Sequence, residues 1–146
     1  MTRFSIIKFG SDEYKQMLAL RHRVLRAPLN LIASEEELAK DKDYTLLGLF
    51  NEENNQLLAC CFLNHIDADT IQLRQMAVDG TLQKSGYGRK LIGHAEQFAR
   101  DSNYKIMYLH AREVAVGFYL KLGYTTQGDY FTEIGIPHVE MTKNLK

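Results

Sequence analysis

The stretch that decides the fold runs from Gln83 to Lys90 and reads QKSGYGRK. It places two glycines, Gly86 and Gly88, one residue apart among polar and basic residues. An apolar run, IQLRQMAV, precedes it and an amphipathic run, LIGHAEQFAR, follows it, so a strand passes into a helix here. Two glycines at such a junction predict either a tight turn or a loop whose backbone lies against the phosphates of a ligand.

The two commonest nucleotide-binding motifs do not fit this loop. The dinucleotide fingerprint needs a third glycine three positions after Gly88, where Leu91 stands, and the Walker A sequence is also absent. The physical requirement that these motifs share is nevertheless met. A helix start offers unpaired backbone N–H groups and partial positive charge, and Lys84, Arg89 and Lys90 add full charges around it.

The composition is that of an ordinary globular protein. The chain has 146 residues, enough for one domain over residues 1–146, with 25% charged residues and a net charge of zero. The absence of a basic excess argues against nucleic acid as a partner. Cys60 and Cys61 are neighbours in an apolar run and point to opposite faces of a strand, so we expect two reduced core thiols. No signal peptide or membrane-spanning run is recognisable, and the predicted location is cytoplasmic.

The apolar periodicity predicts a strand, helices, three strands, a helix, a strand, a helix and two final strands. An antiparallel meander followed by a strand–helix–strand crossover gives an α/β (α+β) fold, with a mixed sheet of about seven strands and about four flanking helices. Local signals mark the element ends: Ser11 and the Ser34–Glu37 capping box as helix starts, Pro28 and Gly123 as helix stops, and Asn54-Asn55 as a hairpin turn.

The chain resembles a known family at two separated motifs. Gln83 to Gly88 is similar to the Gln/Arg-x-x-Gly-x-Gly/Ala motif of the GCN5-related N-acetyltransferases (GNAT family). Further on, AREVAVGFYLKLGY resembles that family's second signature, Phe-Tyr-x-x-x-Gly-Tyr/Phe. The segments LRHRVLRAPLNL and EIGIPHVEMTK resemble a subgroup of small bacterial acyltransferases related to ElaA. The chain is therefore identified as a member of the GNAT family.

The resemblance implies a single GNAT domain that binds acetyl-CoA as acyl donor. The loop amides would cradle the pyrophosphate, the preceding strand would run along the pantetheine arm, and a backbone N–H of that strand would stabilise the oxyanion. The residues implied in coenzyme binding are Met76, Ala77, Val78, Gln83, Lys84, Ser85, Gly86, Tyr87, Gly88 and Arg89. No metal is predicted, because His22, His65 and His94 lack metal-ligand spacing.

The resemblance also suggests catalytic groups. Tyr119 matches the position of the family's general acid, although an aromatic residue that only packs on the helix is an alternative. For the general base we favour His138, in the ElaA-like tail, over His110 at the end of its strand. Glu133 is the carboxylate alternative, and a chain of waters could also serve.

The predicted reaction is direct transfer of an acetyl or other acyl group to an amine of a small molecule or peptide. Two rival hypotheses are a non-catalytic acyl-CoA-binding module of the same fold and an interaction domain whose glycine pair is only a turn. The sequence does not identify the acceptor, and a homodimer stays open. Arg21, Arg23 and Arg26 could bind an acidic acceptor or form a solvated basic face, and we favour the solvated face.

Overall fold

The computed structural model describes residues 1–80 and 85–145. The chain forms two compact units. The first unit comprises Met1–Asn64 and Gln75–Ala95, and the second comprises His65–Arg74 and Glu96–Lys146.

Seven strands and four α-helices make up the described part of the chain. The strands are β1 (Thr2–Ile7), β2 (Thr45–Asn51), β3 (Leu57–His65), β4 (Thr70–Val78), β5 (Ile106–Arg112), β6 (Thr125–Glu133) and β7 (Ile136–Asn144). The helices are α1 (Asp12–Arg21), α2 (Glu35–Ala39), α3 (Tyr87–Asp101) and α4 (Val116–Lys121). The strand order in the sheet is β1-β2-β3-β4-β5-β7-β6.

The sheet is mixed, as predicted. β1 with β2 and β2 with β3 are antiparallel, which is the expected meander. β4 and β5 are parallel and are connected through α3, which is the expected crossover. β7 lies antiparallel between β5 and β6, and its register with β5 pairs His110 with Glu140 and Arg112 with His138.

The predicted helix starts are confirmed. The Ser11 hydroxyl accepts a hydrogen bond from the Tyr14 N–H at 3.1 Å, and the Ser34 hydroxyl accepts one from the Glu37 N–H at 3.1 Å. After α4, Gly123 adopts the left-handed conformation, with φ of +95°, that was expected of a residue ending a helix.

Two helices differ from the predicted ones. α1 ends at Arg21, and the chain continues as a π-helical turn, His22–Arg26, and a 3₁₀ turn, Ala27–Leu29, that contains Pro28. The sequence REVAVGFYLKLG predicts a helix over residues 112–123, but Glu113–Ala115 forms a 3₁₀ turn and α4 begins only at Val116. Helix propensity does not distinguish these tighter or wider turns from an α-helix.

Each unit has its own buried residues. In the first unit α1 packs on the sheet through Met17 and Leu20, whose neighbours include Phe50, Cys60 and Phe62. In the second unit alternate residues of β5 and β7 are buried, namely Met107, Leu109, Ala111, Val139 and Met141. Within residues 1–80 and 85–145, no helix is long and apolar enough to span a membrane.

Candidate active site

The start of α3 has the geometry of an anion site. Gly86 lies immediately before the helix with φ of +90°, and its carbonyl accepts the Lys90 N–H at 3.0 Å. A Cβ built on Gly86 would meet no atom within 4 Å, so the backbone borders open space. The first turn contains no acidic residue, and the early N–H groups of a helix lack intrahelical acceptors. Ser85, Gly86 and Arg89 are exposed, whereas Gln83 and Lys84 lie outside the described residues.

The second half of β4 is distorted at one residue. Gln75 has φ of +54°, a left-handed conformation that costs a non-glycine residue about 1–3 kcal/mol. After it, Ala77 is buried in the core of the first unit, while Met76 and Val78 are only partly buried. Strained backbone conformations of this kind cluster at active sites and at places that hold a ligand. The strained conformation lies directly before the segment predicted to carry the oxyanion donor.

The three arginines around the end of α1 do not form a solvated face, and that prediction was wrong. Arg21 is 2% exposed and donates from Nη1 to Asp41 Oδ2 at 2.8 Å. Arg26 is 8% exposed and donates from Nη2 to the side-chain oxygen of Gln75 at 3.2 Å. Only Arg23 is largely exposed, and its guanidinium lies 3.3 Å from Asp79.

The second unit brings all three candidate bases together. His110 Nδ1 lies 3.0 Å from Glu133 Oε1, and His138 Nε2 lies 3.5 Å from Glu133 Oε2. One carboxylate thus bridges two imidazoles. The His138 side chain is 5% exposed and the His110 side chain 27% exposed, so His110 is the more accessible of the two. The Phe131 ring packs against both imidazoles.

Sequence reasoning missed two members of this group. The Tyr108 hydroxyl lies 2.6 Å from His110 Nε2 and donates to Glu140 Oε1 at 2.9 Å. Burial first, and then the hydrogen bond to Glu140, raise the pKa of Tyr108 to about 12. Strand alternation could have indicated Tyr108, because Tyr108 and His110 are two residues apart in β5 and share a face. We call Tyr108, His110, Glu133, His138 and Glu140 the proton cluster.

When both imidazoles are neutral, the side chains of the proton cluster carry fewer hydrogens than their hydrogen bonds need. Its hydrogen bonds, including one from His138 Nδ1 to the Ile136 carbonyl at 3.0 Å, number four, and each needs one hydrogen. With both imidazoles neutral and both carboxylates ionised, Tyr108, His110 and His138 supply one hydrogen each. One of the two hydrogen bonds of His110 then lacks its hydrogen. A carbonyl only accepts, so the His138 hydrogen lies on Nδ1 and its Nε2 is the basic nitrogen.

Tyr119 occupies a packed position on α4. It is 6% exposed, and its ring makes edge contacts with Phe118 and with Tyr124 at a centroid distance of 5.6 Å. The Tyr124 hydroxyl in turn donates to the buried Glu96 at 2.9 Å, and Lys143 Nζ donates to the same carboxylate at 3.0 Å. These bonds fix the turn after α4, and with it the orientation of the helix that carries Tyr119.

The cysteines are not prepared for nucleophilic chemistry. Both thiols are free and fully buried. Burial raises the pKa of Cys60 to about 12 and also raises the pKa of Cys61. Since the thiolate is the nucleophile, these environments favour direct transfer over an acyl-cysteine route. Among residues 1–80 and 85–145, no group of three or more His, Cys, Asp or Glu side chains is arranged to hold a metal ion.

The comparison with known families decides the identity of the fold. Residues 20–145 match the family described as acetyltransferase (GNAT) domain, which is most of the chain. The chain belongs to the GNAT family. The family prediction made from the glycine motif and the Phe-Tyr signature is thereby confirmed, and so is the predicted GNAT fold with its mixed sheet.

Individual relatives resemble this GNAT chain in sequence or in fold. The uncharacterized protein YyaT of Bacillus subtilis is 34% identical over 76 residues, 52% of this chain and 51% of that protein. The chain thus spans about half the length of this relative. Escherichia coli ElaA has a TM-score of 0.80 at 20% identity, over 99% of this chain and 100% of that chain.

A third comparison concerns a protein with a ligand. A GNAT family acetyltransferase from Elizabethkingia anophelis with acetyl-CoA bound has a TM-score of 0.74 at 18% identity, over 98% of this chain and 97% of that chain. At these identities ElaA and the Elizabethkingia protein share the fold with this GNAT chain.

Proposed function

We propose that this GNAT chain transfers an acetyl group from acetyl-CoA directly to an amine of a small molecule or peptide. The observation that carries the proposal is Gly86, a left-handed glycine that borders open space at the start of α3, within the glycine motif of the family. The acetyl-CoA bound to the Elizabethkingia relative supports the same donor.

The residues at the start of α3 fit a pyrophosphate. A side chain at Gly86 would fill the space beside the backbone, and the first-turn N–H groups can donate to phosphate oxygens. The proposed coenzyme loop comprises Gln83, Lys84, Ser85, Gly86, Tyr87, Gly88 and Arg89. Acetyl-CoA supplies the acyl group as a reactive thioester. Backbone N–H groups of Met76–Val78 would donate to the thioester carbonyl oxygen, where negative charge develops.

Tyr119 is the proposed general acid. A phenol is protonated at neutral pH and can donate its proton to a departing sulfur. Its burial against Tyr124 limits the rotamers that the ring can adopt, so the hydroxyl is presented in a fixed direction. The packing observed for Tyr119 is compatible with a catalytic role, since catalytic side chains need such support.

The proposed general base is the bridged group of His110, Glu133 and His138. An amine attacks as the free base, and the proton that it loses must be accepted by the enzyme. Protonation of His110 would supply hydrogens to both Glu133 and Tyr108, and the resulting imidazolium would lie beside the carboxylates of Glu133 and Glu140. His110 is the accessible end of this group and His138 its buried end. Proton uptake by His110 would thus complete one hydrogen bond that the cluster leaves unmade when both imidazoles are neutral.

The rival reading is a non-catalytic module that binds acyl-CoA. Such a module needs the start of α3 but has no use for a group that accepts protons. The proton cluster therefore favours the enzyme over the module. We also propose a cytoplasmic location, since two free thiols suit a reducing compartment. The homodimer stays a prediction that light scattering would check.

The donor assignment is tested by calorimetry with acetyl-CoA. Gly86→Val should abolish binding, because it adds a β-branched side chain at a left-handed position in the proposed cradle. Gly10→Val is the matched control, since Gly10 also precedes a helix, has φ of +81° and borders open space. The control should bind as wild type does. Near-normal binding by Gly86→Val, or equal loss in both variants, would contradict the cradle.

The base assignment is tested by thiol release from acetyl-CoA with a broad amine panel. Glu133→Gln should lower turnover by about 10²-fold, because the bridge between the two histidines loses its charge. Glu113→Gln, at an exposed position, is the control. Binding of acetyl-CoA without turnover of any amine would favour the module. Equal turnover by Glu133→Gln and wild type would remove the cluster from the mechanism.

A further inference from the structure

Two buried arginines of the first unit face one buried carboxylate. Arg21 and Arg26 are 2% and 8% exposed, and Asp41 is 1% exposed. The Asp41 carboxylate already accepts hydrogen bonds from Arg21 at 2.8 Å and from the Tyr14 hydroxyl at 2.7 Å. The buried charges of the two arginines and Asp41 therefore sum to one positive charge, which the exposed Glu37 carboxylate offsets only from beyond 4.0 Å. Arg26 carries that excess.

The hydrogen bonds of Arg26 do not account for its burial. A guanidinium has five N–H donors, and the acceptor that Arg26 has in the described chain is the neutral amide oxygen of Gln75. Across residues 1–80 and 85–145, no carboxylate lies within 4.0 Å of this guanidinium. Burial first, and then the charge of Arg21, lower the pKa of Arg26. Buried charges normally have a charged partner at contact distance, whereas the nearest influence of this kind on Arg26, the Glu37 carboxylate, is exposed and lies beyond 4.0 Å.

Local backbone structure holds Arg26 in this place. It ends the π-helical turn His22–Arg26, and the chain then turns through Ala27–Leu29 to a left-handed Asn30. A π-helical turn inserts a residue into a helix and redirects the side chains after it, and such turns recur at functional sites. The sequence predicted that Arg26 lies on a solvated face, but in the structure its side chain is buried.

The position of Arg26 relates it to the proposed reaction. Its partner Gln75 is the strained residue of β4, and Met76–Val78 follow it directly. In the proposed function these three residues hold the thioester carbonyl. An anion bound to Arg26 would therefore lie beside the segment at which the acyl group is transferred.

We propose that Arg26 and Gln75 form a subsite for a carboxylate of the acceptor, so that the acceptor is an amino-acid-like amine. This inference rests on the proposed acetyltransferase function. The planar guanidinium matches the two oxygens of a carboxylate. A buried excess of one positive charge suits a monoanion, whereas a phosphate dianion would leave an excess of negative charge. Gln75 can donate its amide N–H groups to the same ligand.

The test compares each L-amino acid with its C-terminal amide as acceptor in the thiol-release assay. For the pairs that react, the acid-to-amide ratio of kcat/KM should fall at least tenfold in Arg26→Gln. Comparing ratios between enzymes cancels the different basicity of the two amines. Arg23→Gln is the control on the same turn, since Arg23 is exposed and should leave the ratio unchanged. Arg26→Lys keeps the positive charge and should keep part of the wild-type preference for the acid over the amide. A partial preference in this variant shows that the loss in Arg26→Gln comes from carboxylate recognition and not from misfolding.

An unchanged ratio in Arg26→Gln, or a wild-type enzyme that uses amides as well as acids, would overturn the proposal. If no pair reacts, unfolding midpoints are measured without acetyl-CoA in sodium acetate, phosphate and chloride at equal ionic strength. The subsite is supported if acetate raises the unfolding midpoint of the wild type above its value in chloride and this rise is absent in Arg26→Gln. The proposal is overturned if acetate gives no higher midpoint than chloride, or if phosphate alone raises the midpoint. Failure of acetyl-CoA binding in calorimetry would instead refute the proposed function, and the acetate measurement is independent of it.

Discussion

Replacing Asp41 by asparagine should destabilise the chain strongly. The side chain is 1% exposed, and it is the acceptor for both Arg21 and Tyr14. Asparagine keeps the shape but removes the charge, which leaves the Arg21 guanidinium buried without a counter-charge; its Nε already lacks a hydrogen-bond partner in the described structure. Breaking a buried ion pair in this way costs about 3–5 kcal/mol. At about 2–4 °C per kcal/mol, the melting temperature should fall by about 6–20 °C.

Urea and thermal unfolding, followed by circular dichroism, measure this loss. Asp43→Asn is the matched control, because Asp43 is exposed two residues away and its replacement should change stability by no more than about 0.5 kcal/mol. Tyr14→Phe removes one hydrogen bond to the same carboxylate and should cost about 1.5–3 kcal/mol. The double variant should lose less than the sum of the two single losses, since both act on one group. A loss below about 1 kcal/mol in Asp41→Asn would refute the reasoning.

Three further predictions concern the second unit and α3. Because burial and Glu140 raise the pKa of Tyr108 from 10.0 to about 12, its contribution to stability is complete below pH 10 and is lost as pH rises through about 12. Tyrosinate absorbance, compared between wild type and Tyr108→Phe, checks this, and a midpoint near the ordinary value would contradict it. Gly123→Ala should destabilise by about 1 kcal/mol since φ is +95°, whereas Gly93→Ala within α3 should stabilise by about 0.5–1 kcal/mol; equal effects would contradict the left-handed assignment. Tyr119→Phe should lower turnover by about 10²-fold with little change in calorimetric affinity for acetyl-CoA, and unchanged turnover would remove Tyr119 as the acid.

The features predicted correctly from the sequence depend on short stretches of chain. The Ser11 and Ser34 caps involve partners three residues away, and the left-handed Gly123 follows from the end of a single helix. The glycine motif and the Phe-Tyr signature are likewise local patterns. Their presence in one chain predicted the GNAT family, and through it the strand order that the meander and crossover suggested.

The proton cluster could be predicted only in part. His110, Glu133 and His138 were candidates as separate residues, but their assembly depends on the register of three strands, in which His110 pairs with Glu140 and Phe131 with His138. A shift of one residue in either pair would turn these side chains to the opposite face of the sheet. Nothing in the residues near each histidine indicates that register. The same reason explains why Glu140 was overlooked, whereas Tyr108 lies two residues from His110 on one face of β5 and could have been found from strand alternation.

The arginines near α1 show how long-range partners change the meaning of a local pattern. Basic residues at intervals along a helix usually form a solvated face, and Arg23 conforms to that rule with a side chain that is 57% exposed. Arg21 departs from it because Asp41, twenty residues later, is buried within hydrogen-bond distance. Arg26 departs from it without such a carboxylate, since its described partner is the amide of Gln75. In the proposed function the motif residues of α3 bear on the donor, whereas we infer that the buried charge of Arg26 beside Gln75 bears on the acceptor.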